Sequence, residues 1–224
     1  MRPAEQSRRH TDCVPRILCF GDSLTWGYDP ETGGRFAPAD TWPGAMAAAL
    51  GGQVDLVVEG LPGRTTVVDS PYAPGRSGAE FLGPLLESHA PVDLVVIMLG
   101  TNDLQDPLNL SARHAASGLW TLLDIALRSA CGPAGAAPEV LAVSPPHIVA
   151  PTGFMGVFYA GREQESRAMA AAYRPVAERA GVAFFDAATV VTPGADGVHL
   201  DVAGHQELAL ALAPVVTDLL TTTH

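Results

Sequence analysis

The sequence predicts an α/β fold in which helices cover both faces of one parallel sheet. Five short apolar runs alternate with segments of helical periodicity, and strands separated by helices pair in parallel through right-handed crossovers. The predicted strand at 93–99 is the most hydrophobic of the five, which is typical of a central strand buried on both faces. The chain has 224 residues, enough for one such core. We therefore expect a single three-layer α/β/α domain over residues 17–224.

The first sixteen residues are expected to form a flexible tail. They combine four arginines with polar residues and prolines and lack the apolar stretch of a secretory signal, so we expect cytoplasmic residence. No apolar run approaches the roughly 20 residues of a membrane-spanning helix, which predicts no membrane partner. Three cysteines make an odd count without metal-like spacing, a pattern that does not indicate a disulfide framework.

The elements follow in a regular order. The first strand begins at Ile17 and ends in a Gly-Asp-Ser turn, and a helix over 42–50 is stopped by two glycines. Ser111 and Asp201 are suited to cap the helices that follow them, and Pro214 is a candidate for a kink. Further strands are predicted over 54–58, 93–99, 139–144 and 182–185, further helices over 79–89, 111–130, 161–180 and 201–219, and loops over 29–40, 69–78, 131–138 and 145–159.

A serine hydroxyl directly follows the first strand. Ser23 stands after Gly21 and Asp22, and the carboxyl ends of parallel strands line the ligand crevice of such a fold. A serine in this place is positioned to react if a neighbouring base removes its proton. The same residues also suit an ordinary turn that caps a helix, so this motif alone leaves both interpretations open.

Histidine supplies the base in the catalytic interpretation. Of seven histidines, only His147 and His199 fall in predicted loops after strands. Asp196 precedes His199 by three residues, a spacing that lets its carboxylate accept a hydrogen bond from the imidazole and fix the tautomer. Asp-x-x-His taken alone is more often an ordinary turn.

Two further turns offer hydrogen-bond donors for an oxyanion. Asn102 follows the central strand and could donate its side-chain amide, and Gly63 follows the second strand and could donate its backbone N–H. The alternative for Asn102 is an Asx turn that closes the strand. Asp103 is expected to brace the loop of Asn102.

Charge and motif content exclude several classes of protein. The formal net charge of -11 repels phosphate backbones, and the basic residues form no stripe, so we expect no nucleic-acid partner. The sequence contains no phosphate loop, dinucleotide fingerprint or metal-ligand cluster. No cofactor and no metal are therefore expected.

Taken in order, these motifs resemble the GDSL family of the SGNH hydrolases. The matching parts are Gly-Asp-Ser-Leu at 21–24, the glycine at 63, Gly-Thr-Asn-Asp at 100–103 and Asp-Gly-Val-His at 196–199. The resemblance implies a flavodoxin-like sheet of order 2-1-3-4-5. It also implies that Ser23 is the nucleophile, His199 the base and Asp196 its orienting acid, with the oxyanion held by the Ser23 N–H, the Gly63 N–H and the Asn102 amide.

A narrower resemblance is to the bacterial arylesterase and acyltransferase branch. It is carried by Gly-Asp-Ser-Leu-Thr-Trp-Gly at 21–27, Glu-Gly-Leu-Pro-Gly-Arg-Thr-Thr at 59–66 and Met-Leu-Gly-Thr-Asn-Asp-Leu at 98–104. The resemblance implies hydrolysis of small to medium acyl esters through an acyl-enzyme, transfer of the acyl group to an alcohol as well as to water, and assembly into a homo-oligomer.

Aromatic residues near the motifs are candidates for the substrate pocket. They are Trp26, Tyr28, Phe154 and Phe158; packing on the core or at a subunit interface is the alternative for each. An aromatic pocket favours aryl or alkyl esters, whereas an open polar groove would favour a carbohydrate O-deacetylase. A catalytically silent binding module is a third alternative, disfavoured by the intact set of Ser23, Asp196 and His199.

Overall fold

The computed structural model describes residues 14–222 and confirms the predicted fold class. Five strands form one parallel sheet in the order 2-1-3-4-5, as the resemblance implied. The strands are β1 Arg16–Gly21, β2 Asp55–Gly60, β3 Leu94–Met98, β4 Glu139–Ser144 and β5 Ala183–Asp186.

Helices connect successive strands. Within residues 14–222 the α-helices are α1 Ser23–Trp26, α2 Trp42–Ala49, α3 Gly78–His89, α4 Ala112–Arg128, α5 Gly153–Tyr159, α6 Glu163–Ala180 and α7 Val202–Thr222. Short 3₁₀ turns occupy Pro38–Asp40, Asn102–Leu104, Pro133–Gly135 and Ala187–Thr189. No helix in this described range is both long and apolar enough to cross a membrane.

The sheet is buried on both faces, which makes the domain three-layered. Leu18 and Phe20 of β1 belong to the core shared with α3, α4 and α6. Ile17 and Cys19 belong to the opposite core, shared with α2 and α7. Because successive side chains of a strand point to opposite faces, an unbroken apolar run supplies both cores at once. This is why the predicted strands read as continuous hydrophobic segments.

The domain begins one residue before the predicted boundary. Arg16, assigned to the tail on its charge, belongs to β1. Its guanidinium donates to Asp55 at 2.7 Å and to the His89 carbonyl at 2.7 Å, and its backbone N–H donates to Asp93 at 2.7 Å. These partners lie far along the chain, so the composition of the tail could not reveal them. Residues 1–13 of the predicted tail lie outside the described residues.

One further element differs from expectation. The apolar stretch predicted as loop up to Tyr159 contains helix α5. Its signal was the spacing of Phe154 and Phe158, four residues apart, but a helix of seven residues offers too few turns for a clear period. Helix α7 continues through Pro214 as one helix.

Helix α1 packs tightly against the ends of β1 and β2. A Cβ atom on Gly21 would lie 2.0 Å from Thr25 Oγ1, and one on Gly60 would lie 2.3 Å from the backbone nitrogen of Trp26. Only glycine permits these approaches. The serine at the start of α1 is therefore held directly over the carboxyl edge of the sheet.

Candidate active site

Ser23 is the first residue of α1 and lies at the carboxyl end of β1. The preceding residue, Asp22, caps this short helix because its carboxylate accepts the Leu24 N–H at 3.0 Å. The Ser23 side chain contacts a surface cavity, and the residue is 8% exposed. The catalytic and capping interpretations of the motif therefore coexist, with the cap supplied by Asp22 and the hydroxyl by Ser23.

His199 lies between Ser23 and Asp196. The distance from Ser23 Oγ to His199 Nε2 is 2.9 Å, and the distance from His199 Nδ1 to Asp196 Oδ2 is 2.6 Å. Ser23 and His199 are separated by 176 positions in the sequence. The fold therefore brings together all three residues predicted to form the catalytic triad.

The carboxylate of Asp196 is held rigidly. Its Oδ1 accepts the backbone N–H groups of Val198 at 2.9 Å and of His199 at 2.8 Å. Burial acts to raise the pKa of Asp196, but the hydrogen bonds from the His199 side chain and backbone and from Val198 outweigh it, and the pKa lies below its ordinary value. Asp196 is thus an acceptor for Nδ1, which leaves Nε2 to receive a proton from serine.

Two residues that line the cavity have a backbone N–H without an acceptor in the described residues. Neither the N–H of Ser23 nor that of Gly63 donates to another residue within 14–222. Both residues line the same cavity, and Gly63 has a φ of 81°, a conformation that favours glycine. These groups are suited to receive a negatively charged oxygen.

Asn102 lines the cavity with its amide orientation determined by four neighbours. Its Oδ1 accepts from Tyr159 Oη at 2.9 Å and from Gln105 Nε2 at 2.8 Å. Its Nδ2 lies 3.0 Å from the Arg64 carbonyl and 3.1 Å from the Asp22 carboxylate. A flipped amide would place oxygen against both acceptors, so Nδ2 must face this side. Because Nδ2 already donates to these two acceptors, a hydrogen bond from Asn102 to an oxyanion would have to share one of its two hydrogens.

Buried polar residues support the turns behind the site. Burial raises the pKa of Asp22 to about 6, against the lowering effect of the Leu24 N–H and of the charges on His199 and Arg64. Asp103 accepts the backbone N–H of Thr66 at 2.9 Å and also its hydroxyl. Burial raises the pKa of Asp103 to about 6 as well, although these hydrogen bonds oppose the shift. Asp103 therefore braces the loops of the site, as expected.

The cavity has a volume of about 360 Å³ and is lined largely by aromatic and apolar side chains. Tyr28 lies against the imidazole of His199, with ring centroids 4.4 Å apart. Phe154 and Phe158 meet edge to face at 4.9 Å. Besides Ser23, Tyr28, Gly63, Asn102, Phe154, Phe158 and His199, the lining comprises Pro62, Ser70, Tyr72, Ala73, Arg76, Gln105, Met155 and Tyr159.

Trp26 does not line this cavity. Its ring lies under the Arg35 guanidinium, 4.9 Å from Cζ to the ring centroid, and its backbone carbonyl accepts from Arg35 Nε at 2.8 Å. Trp26 follows Ser23 by almost one helical turn, and the close approach of Gly60 fixes its backbone against β2. Of the four aromatic residues predicted to line the substrate pocket, Tyr28, Phe154 and Phe158 line this cavity and Trp26 lies outside it.

Sequence reasoning missed Tyr159, Gln105 and Arg76. Tyr159 and Gln105 orient Asn102, and Arg76 lies at the cavity beside Gly63. All three occur in segments without a motif, and only their tertiary contacts identify them. Within the described range, no group of three or more His, Cys, Asp or Glu residues is arranged to hold a metal ion.

A comparison with known protein families shows to which family this chain belongs. The profile of the GDSL-like lipase/acylhydrolase family matches residues 19–207. The chain belongs to this family. It is accordingly a carboxylic ester hydrolase, and the resemblance drawn from its motifs is confirmed. Among curated proteins, no sequence matches the chain significantly.

Solved structures of this family include close relatives of the chain. An inhibitor-bound aryl esterase of M. smegmatis is 41% identical, with a TM-score of 0.87, and the match covers 92% of this chain and 99% of that one. The native form of the M. smegmatis aryl esterase is 42% identical, with a TM-score of 0.86 and the same coverage. A carbohydrate acetylesterase from Sinorhizobium meliloti is 36% identical, with a TM-score of 0.87 and again the same coverage.

Proposed function

We propose that the chain hydrolyses small to medium aryl or alkyl esters through an acyl-enzyme formed on Ser23. The observation that carries this proposal is the hydrogen-bonded series from Ser23 through His199 to Asp196, with distances of 2.9 and 2.6 Å, at the wall of a cavity. A serine nucleophile, a base and an acid that orients the base are the requirements of acyl transfer.

In the acylation step, Ser23 Oγ attacks the ester carbonyl while its proton passes to His199 Nε2. The new bond between Oγ and the carbonyl carbon moves an electron pair to the carbonyl oxygen. The N–H groups of Ser23 and Gly63, together with the Asn102 amide, stabilise the resulting oxyanion. When the tetrahedral intermediate collapses, the bond to the alcohol oxygen breaks and His199 returns the proton to the leaving alcohol.

Deacylation repeats these steps with a second nucleophile. Water gives up a proton to His199 and attacks the acyl-enzyme, which releases a carboxylic acid and restores Ser23. An alcohol in place of water yields a new ester, so the same site supports acyl transfer to an alcohol. The partition between the two products, measured against alcohol concentration, tests that extension.

The shape of the cavity supports the choice of ester. About 360 Å³ lies at the small end of ligand pockets, and Tyr28, Phe154 and Phe158 provide apolar walls. These features favour a compact acyl or aryl group over an extended sugar polymer.

The test compares p-nitrophenyl esters from acetyl to dodecanoyl, using the wild type, Ser23→Ala and Ser117→Ala. Ser117 is exposed on α4 and absent from the cavity lining, so its variant controls for the loss of a serine hydroxyl. Turnover is expected in the wild type and control only, with the highest kcat/KM for the shorter acyl chains. Equal turnover by Ser23→Ala would disprove the assignment of the nucleophile.

Carbohydrate O-deacetylation is the second candidate, because one relative of 36% identity is a carbohydrate acetylesterase. The same site would remove acetyl groups from a sugar. Acetylated xylo-oligosaccharides and phenyl acetate, assayed side by side, separate the two functions. A wild type without turnover on any ester would instead indicate a binding module.

Four further proposals concern cofactors, partners, location and oligomeric state. We propose that the reaction needs no metal or cofactor, so hydrolysis should survive treatment with chelators. Nucleic acid and membrane are not expected as partners.

Cys19 and Cys131 are free thiols, which is compatible with a cytoplasmic location. We also propose a homo-oligomer, which analytical ultracentrifugation would detect.

A further inference from the structure

Arg76 gives the substrate cavity its positive charge. Of the fifteen residues that line the cavity, Arg76 alone is an arginine or lysine, and none is an aspartate or glutamate. The protein as a whole carries a net charge of -11. A permanent cation in the lining of this cavity therefore departs from the general charge of the molecule.

Backbone contacts hold the Arg76 side chain beside the predicted oxyanion site. Its Nε donates to the Pro62 carbonyl at 2.9 Å, and its Nη1 lies 3.4 Å from the Pro74 carbonyl. A Cβ atom built on Gly63 would lie 3.6 Å from Arg76 Nε. The guanidinium is thus positioned next to Gly63, which lines the cavity and whose N–H has no acceptor in the described residues.

No carboxylate of the described residues forms an ion pair with this guanidinium. No aspartate or glutamate oxygen within the described range lies within 4.0 Å of it. Asp69 is nearby in the loop, but its oxygens accept the backbone N–H groups of Ser70, Gly75 and Arg76 itself. Nη2 donates to no residue of the described chain, and it remains available to a ligand.

Other arginines of the protein are engaged in several ways. Arg35, like Arg76, donates Nε to a backbone carbonyl, but its guanidinium lies over the Trp26 ring, with Cζ 4.9 Å from the ring centroid. Arg16, Arg128 and Arg162 each pair with an aspartate, and Arg64 is buried with its guanidinium 4.3 Å from the Phe20 ring centroid. Arg76 has instead one strong neutral acceptor and an unused part of its hydrogen-bonding fork. A planar guanidinium in this state binds carboxylates strongly.

We propose that Arg76 determines specificity by binding a carboxylate carried by the substrate, so that the preferred esters are monoanionic. This inference rests on the proposed function, since it names the class of ester that the same cavity takes. The carboxylate belongs to the acyl part or to the alcohol part, and the ester bond itself remains at Ser23.

The rival explanation is that Arg76 only braces the Pro62–Gly63 turn. A brace acts on every substrate alike, because it positions the Gly63 N–H for any oxyanion. Binding of a carboxylate acts on anionic esters alone. Matched pairs of neutral and anionic esters therefore distinguish the two roles.

The experiment measures kcat/KM for two such pairs. On the alcohol side the pair is meta-acetoxybenzoate and meta-acetoxybenzamide, and on the acyl side it is p-nitrophenyl hydrogen adipate and p-nitrophenyl hexanoate. The proteins are the wild type, Arg76→Gln, Arg76→Lys and Arg128→Gln. Arg128 has a side-chain exposure of 79% and pairs with Asp124 on α4, so its variant removes the same charge outside the cavity.

We expect Arg76→Gln to lower kcat/KM for the anionic ester of at least one pair by about 10- to 100-fold, the range of a hydrogen bond to a charged group. The neutral partner should lose clearly less than the anionic ester, Arg76→Lys should retain part of the preference, and Arg128→Gln should match the wild type. Added salt should lower wild-type turnover of the anionic ester alone, because it screens the attraction.

Two results would overturn the inference: an equal loss for neutral and anionic esters, which identifies a brace, or no change for either. Thermal unfolding of each variant identifies any general loss of structure. The proposed function fails separately, if neutral esters are not hydrolysed by the wild type or are hydrolysed equally by Ser23→Ala.

Discussion

The two sides of the cavity are built in different ways. On the catalytic side, Asp22, Asn102 and His199 are 1%, 4% and 5% exposed, and every one of them is hydrogen-bonded to another part of the chain. On the opposite side, Tyr72 and Phe154 are 77% and 69% exposed. The groups proposed to perform chemistry are buried and hydrogen-bonded, whereas those proposed to meet the substrate project from short segments into solvent.

The difference has a physical origin. A polar group removed from water is costly unless it is hydrogen-bonded, so the buried side tolerates only one arrangement. Exposed aromatic groups are held by weak, non-directional contacts, so their replacement leaves the fold intact. We infer that substitutions on the catalytic side reduce turnover of all esters, while those on the aromatic side change the choice among esters.

The largest expected effect is that of His199→Ala. Without the base, Ser23 keeps its proton, and kcat should fall by at least about 10⁴-fold, as in other hydrolases that lose a triad member. Circular dichroism should show an unchanged fold. His114→Ala, which alters an exposed histidine on α4, serves as the control. Near-normal turnover by His199→Ala would remove this residue from the mechanism.

Asn102→Ala should have the next largest effect. Loss of one oxyanion donor typically lowers kcat by about 10² to 10³-fold, with little change in KM because the contact forms in the transition state. Gln105→Ala loosens the same amide without removing it, so its loss should be smaller. If Asn102→Ala raised only KM, the residue would act in substrate binding and not on the oxyanion.

The buried carboxyl of Asp103 should make stability depend on pH. Burial raises the pKa of Asp103 in the folded protein to about 6, above its ordinary value of 3.8 in the unfolded chain. The contribution of this group to the free energy of unfolding is therefore fully present below pH 3.8 and is lost as the pH rises through 6. Asp103→Asn does not titrate and can still pair with Thr66. Relative to this variant, the wild type should lose up to about 3 kcal/mol in free energy of unfolding between pH 4 and pH 7.

Urea unfolding of both proteins across this pH range measures the difference. Asp124, a half-exposed residue that pairs with Arg128 on α4, provides the control variant Asp124→Asn. A difference between wild type and Asp103→Asn that stays constant from pH 4 to pH 7 would show that Asp103 does not titrate there.

Phe154→Ala should have the smallest effect on the protein and a selective one on substrates. The side chain is largely exposed, so the free energy of unfolding should change by less than about 1 kcal/mol. The ratio of kcat/KM for p-nitrophenyl octanoate to that for the acetate should change several-fold. Val157→Ala on the same helix, 71% exposed and absent from the cavity lining, should leave the ratio unaltered.

Local patterns in the sequence were sufficient for the fold and for the order of the motifs. The spacing of apolar residues and the hydrophobicity of a segment can be read from a short stretch of sequence. These two properties therefore predicted the five strands, the helices between them and the turns that carry Ser23, Asn102 and His199. The order of these turns indicated the family before any distance was known. The missed helix α5 shows the limit of local pattern, because seven residues contain too little periodicity.

Only the tertiary structure decided which side chains share the cavity. The contact between Ser23 and His199 spans 176 positions and depends on the order of strands in the sheet. Trp26 contacts Arg35 outside the cavity, whereas Arg76, Gln105 and Tyr159 were brought in by loops and a short helix that carry no motif. Burial and hydrogen bonding between distant segments determine such placements, and those interactions have no local signature in the sequence.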